Sequence, residues 1–175
     1  MLKLTSHKSN KFSDFQVFSE LHIEADKVIV DFEVIKKNLK VDERFSTDHW
    51  DNWGLWENDV VEVFLTRAKD HLPYLELQLS PLGQKFALLI KKPRKETEKI
   101  TEIAVKTNVS RTQNGFNGSF QIPKESIPGD STELWGNLHA CLYDEHKCNF
   151  YALKPNTDQR ADFHRPEYFQ KLGTL

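Results

Sequence analysis

The run PYLELQLS, Pro73 to Ser80, alternates strictly. Leu75, Leu77 and Leu79 take one phase and Tyr74, Glu76 and Gln78 the other. Successive side chains of a strand point to opposite faces, so this period of two describes a strand with one apolar and one polar face. A helix would scatter the leucines around its surface. The pattern recurs along the chain. DKVIVDFEVI sets Val28, Val30, Phe32 and Val34 against Ile29, Asp31, Glu33 and Ile35, and DVVEVFLT sets Val61, Val63 and Leu65 against Val60, Glu62 and Phe64. GQKFALLIKK, KITEIAVKT, GFNGSFQIP, ELWGNLHACLYD and NFYALKP read as further strands, and DFQVFSELHI as a mixed opening containing a short one. PKESIPG is at most a single helical turn, because Pro128 and Gly129 punctuate it too soon for more.

Many short strands with turn signals between them, and no long helix, predict an all-β fold: an antiparallel β-sandwich, with a closed barrel as the alternative. The length, 175 residues, suits one domain spanning 1–175, with residues 1–12 as a loose N-terminal extension. The net charge of -2 offers no basic field for nucleic acid. The locally basic stretch KKPRKETEK, Lys91 to Lys99, reads as a solvated hairpin loop. No membrane-spanning run and no signal peptide is visible. Cys141 and Cys148 either close a small loop or remain two independent thiols.

HWDNWGLWENDVVEVFL, His49 to Leu65, holds Trp50, Trp53 and Trp56 in a loop that enters a strand. A buried indole caps the end of a sandwich; an exposed one gives a flat platform. The C–H face of a pyranose packs on such a ring while carboxylates and amides take its hydroxyls. Trp50, Trp53 and Trp56 are therefore candidate platforms, with Trp135 from a distant segment completing a two-ring sandwich. Glu62, Glu76 and Gln78 supply polar groups on strand faces.

These same residues carry a resemblance. WGLWENDVVEVFLT, YLELQLSPLGQ, GSFQIPKESI, LWGNL and FHRPEYFQKL, in that order, resemble the family 9 carbohydrate-binding modules and their wider group of DOMON-like β-sandwich domains. The chain departs from the family where an arginine often follows the late asparagine: it runs NLHACLYD, with Ala140 near that position. The resemblance implies non-catalytic binding of a mono- or oligosaccharide, an extracellular or periplasmic setting, and association with a separate catalytic or surface protein. It requires no cofactor, although relatives can carry structural calcium. Asp51, Glu57 and Asp59 are the candidate ligands for that ion, since hard oxygens suit it.

Two other functions compete. A DOMON-like domain can keep the sandwich and serve as a protein-interaction or structural unit without sugar. A glycoside hydrolase would use Glu62 and Glu76 as its paired carboxylates, which requires a defined separation across the scissile bond. The seven histidines form no HExxH and no structural-zinc pattern.

Overall fold

In the computed structural model, which describes residues 1–10, 14–145 and 147–175, the alternating segments pair into two antiparallel sheets packed face to face. The strands of the first half are β1 (Leu2–Lys3), β2 (Thr5–Ser6), β3 (Gln16–Ile23), β4 (Lys27–Ile35), β5 (Val60–Thr66) and β6 (Tyr74–Leu79). Those of the second half are β7 (Lys85–Lys92), β8 (Glu96–Lys99), β9 (Lys106–Thr112), β10 (Gly115–Pro123), β11 (Glu133–Tyr143), β12 (Cys148–Ala152) and β13 (Gln170–Thr174). The smaller sheet runs β1-β3-β4-β10-β9. The larger runs β2-β12-β11-β5-β6-β7-β8, with β13 sharing an edge of β11. Helical structure among the described residues is limited to 3-10 turns at Leu55–Glu57, Lys124–Ser126 and Pro166–Tyr168.

The sequence phases decide which side chains meet. Val28, Val30, Phe32 and Val34 of β4 face Val61, Val63 and Leu65 of β5 and Leu75, Leu77 and Leu79 of β6 within one buried core. Phe116, Phe120 and Ile122 of β10 join them. The opposite phase of the larger sheet is not solvated, as a simple amphipathic strand would be. Leu55, Val60, Phe64, Tyr74, Phe86, Ile90 and Phe169 make a second apolar cluster on that outer face. Every residue of β5 and β6 is consequently buried. Both faces of these strands are covered, one by the smaller sheet and one by loops.

Two expectations change. Leu2–Lys3 pairs with β3 and Thr5–Ser6 with β12, and Leu4 between them is buried in the core. The opening residues thus tie the two sheets together; positions 11 and 12 of the expected loose extension lie outside the described residues. The basic loop also contributes more than a turn, because Glu96–Lys99 extends the sheet as its last strand. Its four residues are all exposed, and charge on an edge strand discourages further pairing.

Candidate functional site

The loop before β5 is fixed by one buried amide. Asn52 Nδ2 donates to the carbonyls of Ser46 (2.8 Å) and Lys85 (2.9 Å), and its Oδ1 accepts from the Ser46 N–H at 3.0 Å. Gly54 then takes the left-handed region at φ 91°, where a side chain would be strained, and starts the 3-10 turn Leu55–Glu57. The consequence is a division of the tryptophans. Trp50 is buried in the sandwich core. Trp53 and Trp56 lie on the outer face of the larger sheet, in edge-to-face contact with centroids 4.9 Å apart, and both lean on Phe86. Trp53 is 55% exposed.

These two rings form part of the wall of a cavity of about 520 Å³ whose lining includes Glu62, Glu76 and Gln78. Strand register explains the assembly. Glu62 stands opposite Gln78 on β6 and opposite His139 on β11, so the three form a row across neighbouring strands. Glu76 is two residues from Gln78 on the same face, and Gln78 Nε2 donates to its Oε1 at 2.8 Å. Glu76 Oε2 and Gln78 Oε1 are buried without a hydrogen-bond partner. Tyr143, Phe150, Phe163 and His164 complete the sides, and Arg94 and Lys95 stand at the rim. Arg94 is paired with Asp162 at 2.8 Å.

The electrostatics follow from burial. Removal from water disfavours the charged form of any titratable group. Burial raises Glu76 to about 7, partly opposed by the Gln78 hydrogen bond. Burial and then the charge of Glu76 hold Glu62 well above the carboxylate range. Burial lowers His139 far below its ordinary value and lowers His164 as well. His164 Nδ1 is hydrogen-bonded to Tyr74 Oη at 2.8 Å and lies 3.9 Å from Glu76 Oε2. At neutral pH the floor therefore holds two carboxyl groups beside two neutral imidazoles.

Trp50 and Trp135 do not belong to this site. Trp50 is spent on the core, and its carbonyl accepts from the Ala87 N–H at 3.3 Å. Trp135 pairs with Thr66, while His139 pairs with Glu62. Four residues along a strand place it roughly 13 Å from the carboxylate row. Its ring packs 4.7 Å from His71, and Phe64 and Phe169 fill the intervening space. The structure thus does not bring Trp135 to a member of the tryptophan cluster; the indoles that line the cavity are Trp53 and Trp56, in contact with each other.

The proposed calcium ligands do not converge either; among the described residues no group of three or more His, Cys, Asp or Glu side chains could hold a metal. Asp59 is buried in an ion pair with Lys36 (2.8 Å) and accepts from the N–H groups of Lys40 (2.8 Å) and Tyr143 (2.7 Å). A divalent ion there would sit against a buried ammonium. Asp51 is paired with Lys99 at 3.1 Å, and Glu57 is exposed on the 3-10 turn. Of the two states left open for the cysteines, the disulfide Cys141–Cys148 is present, and both residues line the cavity.

His139 and His164 escaped the site predicted from sequence. The signal for His139 was available: Leu138, Ala140 and Leu142 face the core, so Asn137, His139 and Cys141 share the outer face with Glu62. His164 stands in FHRPEYFQKL, which marked the resemblance but not a site; its contact with Tyr74 spans ninety residues of chain.

This architecture defines a class. The chain has the DOMON-like antiparallel sandwich seen in family 9 carbohydrate-binding modules. A family 9 module from Caldicellulosiruptor kristjanssonii solved with cellotriose superimposes with a TM-score of 0.65 at 14% identity, covering 95% of this chain and 78% of that one. The same type of module solved with glucose gives 0.66 at 14% identity, covering 98% and 85%. A Bacteroides uniformis protein of suggested carbohydrate-binding role gives 0.69 at 17% identity over 89% and 76%. In sequence the chain is similar to a rat protein, the UPF0462 protein C4orf33 homolog. The identity is 33% over 125 residues, which cover 68% of this chain and 60% of the rat protein. No family model matches the chain.

Proposed function

We propose that the protein binds a mono- or oligosaccharide without cleaving it, in the cavity on the outer face of the larger sheet. The observation that carries this reading is the meeting of the Trp53–Trp56 pair with Glu62, Glu76 and Gln78 in one concave site. Apolar rings beside a few converging acceptors match the mixed surface of a pyranose. The fold likeness to modules solved with glucose and cellotriose supports it. Glu62 and Glu76 rise from one face of one sheet. Both would therefore approach a ligand on the tryptophan platform from the same side, whereas glycoside hydrolysis needs carboxyls flanking the bond.

Isothermal titration and tryptophan fluorescence against glucose, cellobiose and cello-oligosaccharides test the reading. Saturable binding is expected, weak for a small polar ligand. Trp53→Ala should remove most of the fluorescence response with little change in melting temperature. Silence from every sugar would overturn the reading. Turnover of a glycoside that Glu62→Gln abolishes would overturn its non-catalytic part.

A further inference from the structure

The floor of the cavity carries more acceptors than the protein satisfies. Glu62 is 4% exposed, and Glu76 Oε2 and Gln78 Oε1 are buried without a hydrogen-bond partner. Buried carboxylates ordinarily have a donor or a cation beside them, because desolvation is otherwise uncompensated. The groups facing this pair do not supply one. From β6, Tyr74 is engaged with His164. From β11, the ring of His139 stacks on Phe163 with centroids 4.0 Å apart, and both of its nitrogens are unpartnered. Tyr143 Oη donates to the Trp56 carbonyl at 3.3 Å. On the 161–164 segment and the β7–β8 turn, Asp162 and Arg94 neutralise each other, and Lys95 is exposed at the rim.

Three ligand chemistries can be compared against this floor. A neutral hydroxyl can donate one hydrogen bond but brings no charge to favour the ionised carboxyls. A quaternary ammonium brings charge and suits the indoles, yet has no N–H for the orphaned oxygens. A primary ammonium brings both charge and three donors. We propose that the preferred ligand is an amino sugar, its protonated amine seated among Glu62, Glu76 and Gln78 and its ring against Trp53 and Trp56. The proposal rests on the sugar-binding reading for the ring and adds the amine.

A linked proton follows. Both carboxyls hold protons to higher pH than usual in the empty cavity. A bound ammonium favours their ionised forms, so its binding releases protons. Affinity should rise as the pH goes from about 5 to about 7 and fall once a free amine, at about 8, loses its own proton.

The test is calorimetric titration with D-glucosamine, N-acetylglucosamine and glucose at about pH 5 and about pH 7, in two buffers of different ionisation enthalpy. Glucosamine is expected to bind roughly tenfold tighter than the other two at the higher pH, as one charge-assisted contact would give. It should release protons on binding and lose its preference at the lower pH. In Glu62→Gln/Glu76→Gln the ratio of glucosamine to glucose affinity should fall to about one, whatever the absolute affinities. Glu76→Gln alone serves if the double variant does not fold, with a smaller ratio expected. Equal binding of glucosamine and glucose by the parent, or an undiminished ratio in the variant, would overturn the amine while leaving the sugar reading in place. Silence from all three sugars would overturn both. Binding of n-butylammonium as tight as that of glucosamine would overturn the sugar ring and keep the cation.

Discussion

Neighbouring residues on the same strand carry opposite expectations. Leu77 faces the sandwich core and is fully buried. Its truncation in Leu77→Ala should cost about 2–5 kcal/mol, read from denaturant unfolding. Glu76, one position earlier, faces the cavity and holds its proton up to about 7 against an ordinary 4.5. Between those values the folded chain binds more protons than the unfolded one, so this group's contribution to stability is full below 4.5 and is lost as pH rises to about 7. Glu76→Gln should flatten that decline and leave the variant more stable than the parent by about 1–3 kcal/mol in mildly alkaline buffer. A parent melting curve that stays level across the window would show that Glu76 is not desolvated as described. The tryptophans divide in the same manner. Trp50→Ala should destabilise by about 3–5 kcal/mol, whereas Trp53→Ala should chiefly affect binding.

At the scale of the element, the loop from Lys36 to Asp59 shows how a stretch without strands is held in place. Asp59 receives Lys36 Nζ and the backbone N–H groups of Lys40 and Tyr143, joining the end of β4 to β11. Burial nevertheless raises the Asp59 carboxyl, since desolvation outweighs its partners. Removing one member leaves the other charge buried and alone, so Lys36→Met should cost about 3–5 kcal/mol by thermal or denaturant unfolding. An effect near zero would mean that the pair is hydrated. Strand β11 imposes a different constraint. A Cβ at Gly136 would lie 2.1 Å from the Phe64 carbonyl oxygen, so Gly136→Ala must separate β11 from β5. Because Glu62 and His139 are register partners across that seam, the cavity floor would shift with it.

For the whole molecule, the disulfide cross-links two neighbouring strands of the larger sheet beside the cavity. Cys141 on β11 and Cys148 on β12 are seven residues apart, and no described cysteine is free. Closing so short a loop restrains the unfolded chain by about 2 kcal/mol. Cys141→Ser/Cys148→Ser should lower unfolding stability by about that amount, and thiol titration of the folded, oxidised protein should find no reactive thiol. Rapid labelling of the native parent would contradict the bridge.

The sequence by itself determined the strands and their inward faces. Alternation at β4, β5, β6 and β10 is a local property, and a period of two assigns each side chain to a face before any partner is known. It also supplied Trp53, Trp56, Glu62, Glu76 and Gln78, whose chemistry suits a sugar wherever they meet. Tertiary structure decided that they do meet. Strand order and register set Glu62 between Gln78 and His139, the Asn52 amide and Gly54 turn two tryptophans outward and one inward, and the intervening Phe64 and Phe169 separate Trp135 from the row. Burial was likewise a tertiary outcome. A glutamate in the polar phase of a strand is ordinarily solvated, and only the loops folded over the outer face turned Glu62 and Glu76 into desolvated groups with altered proton affinities.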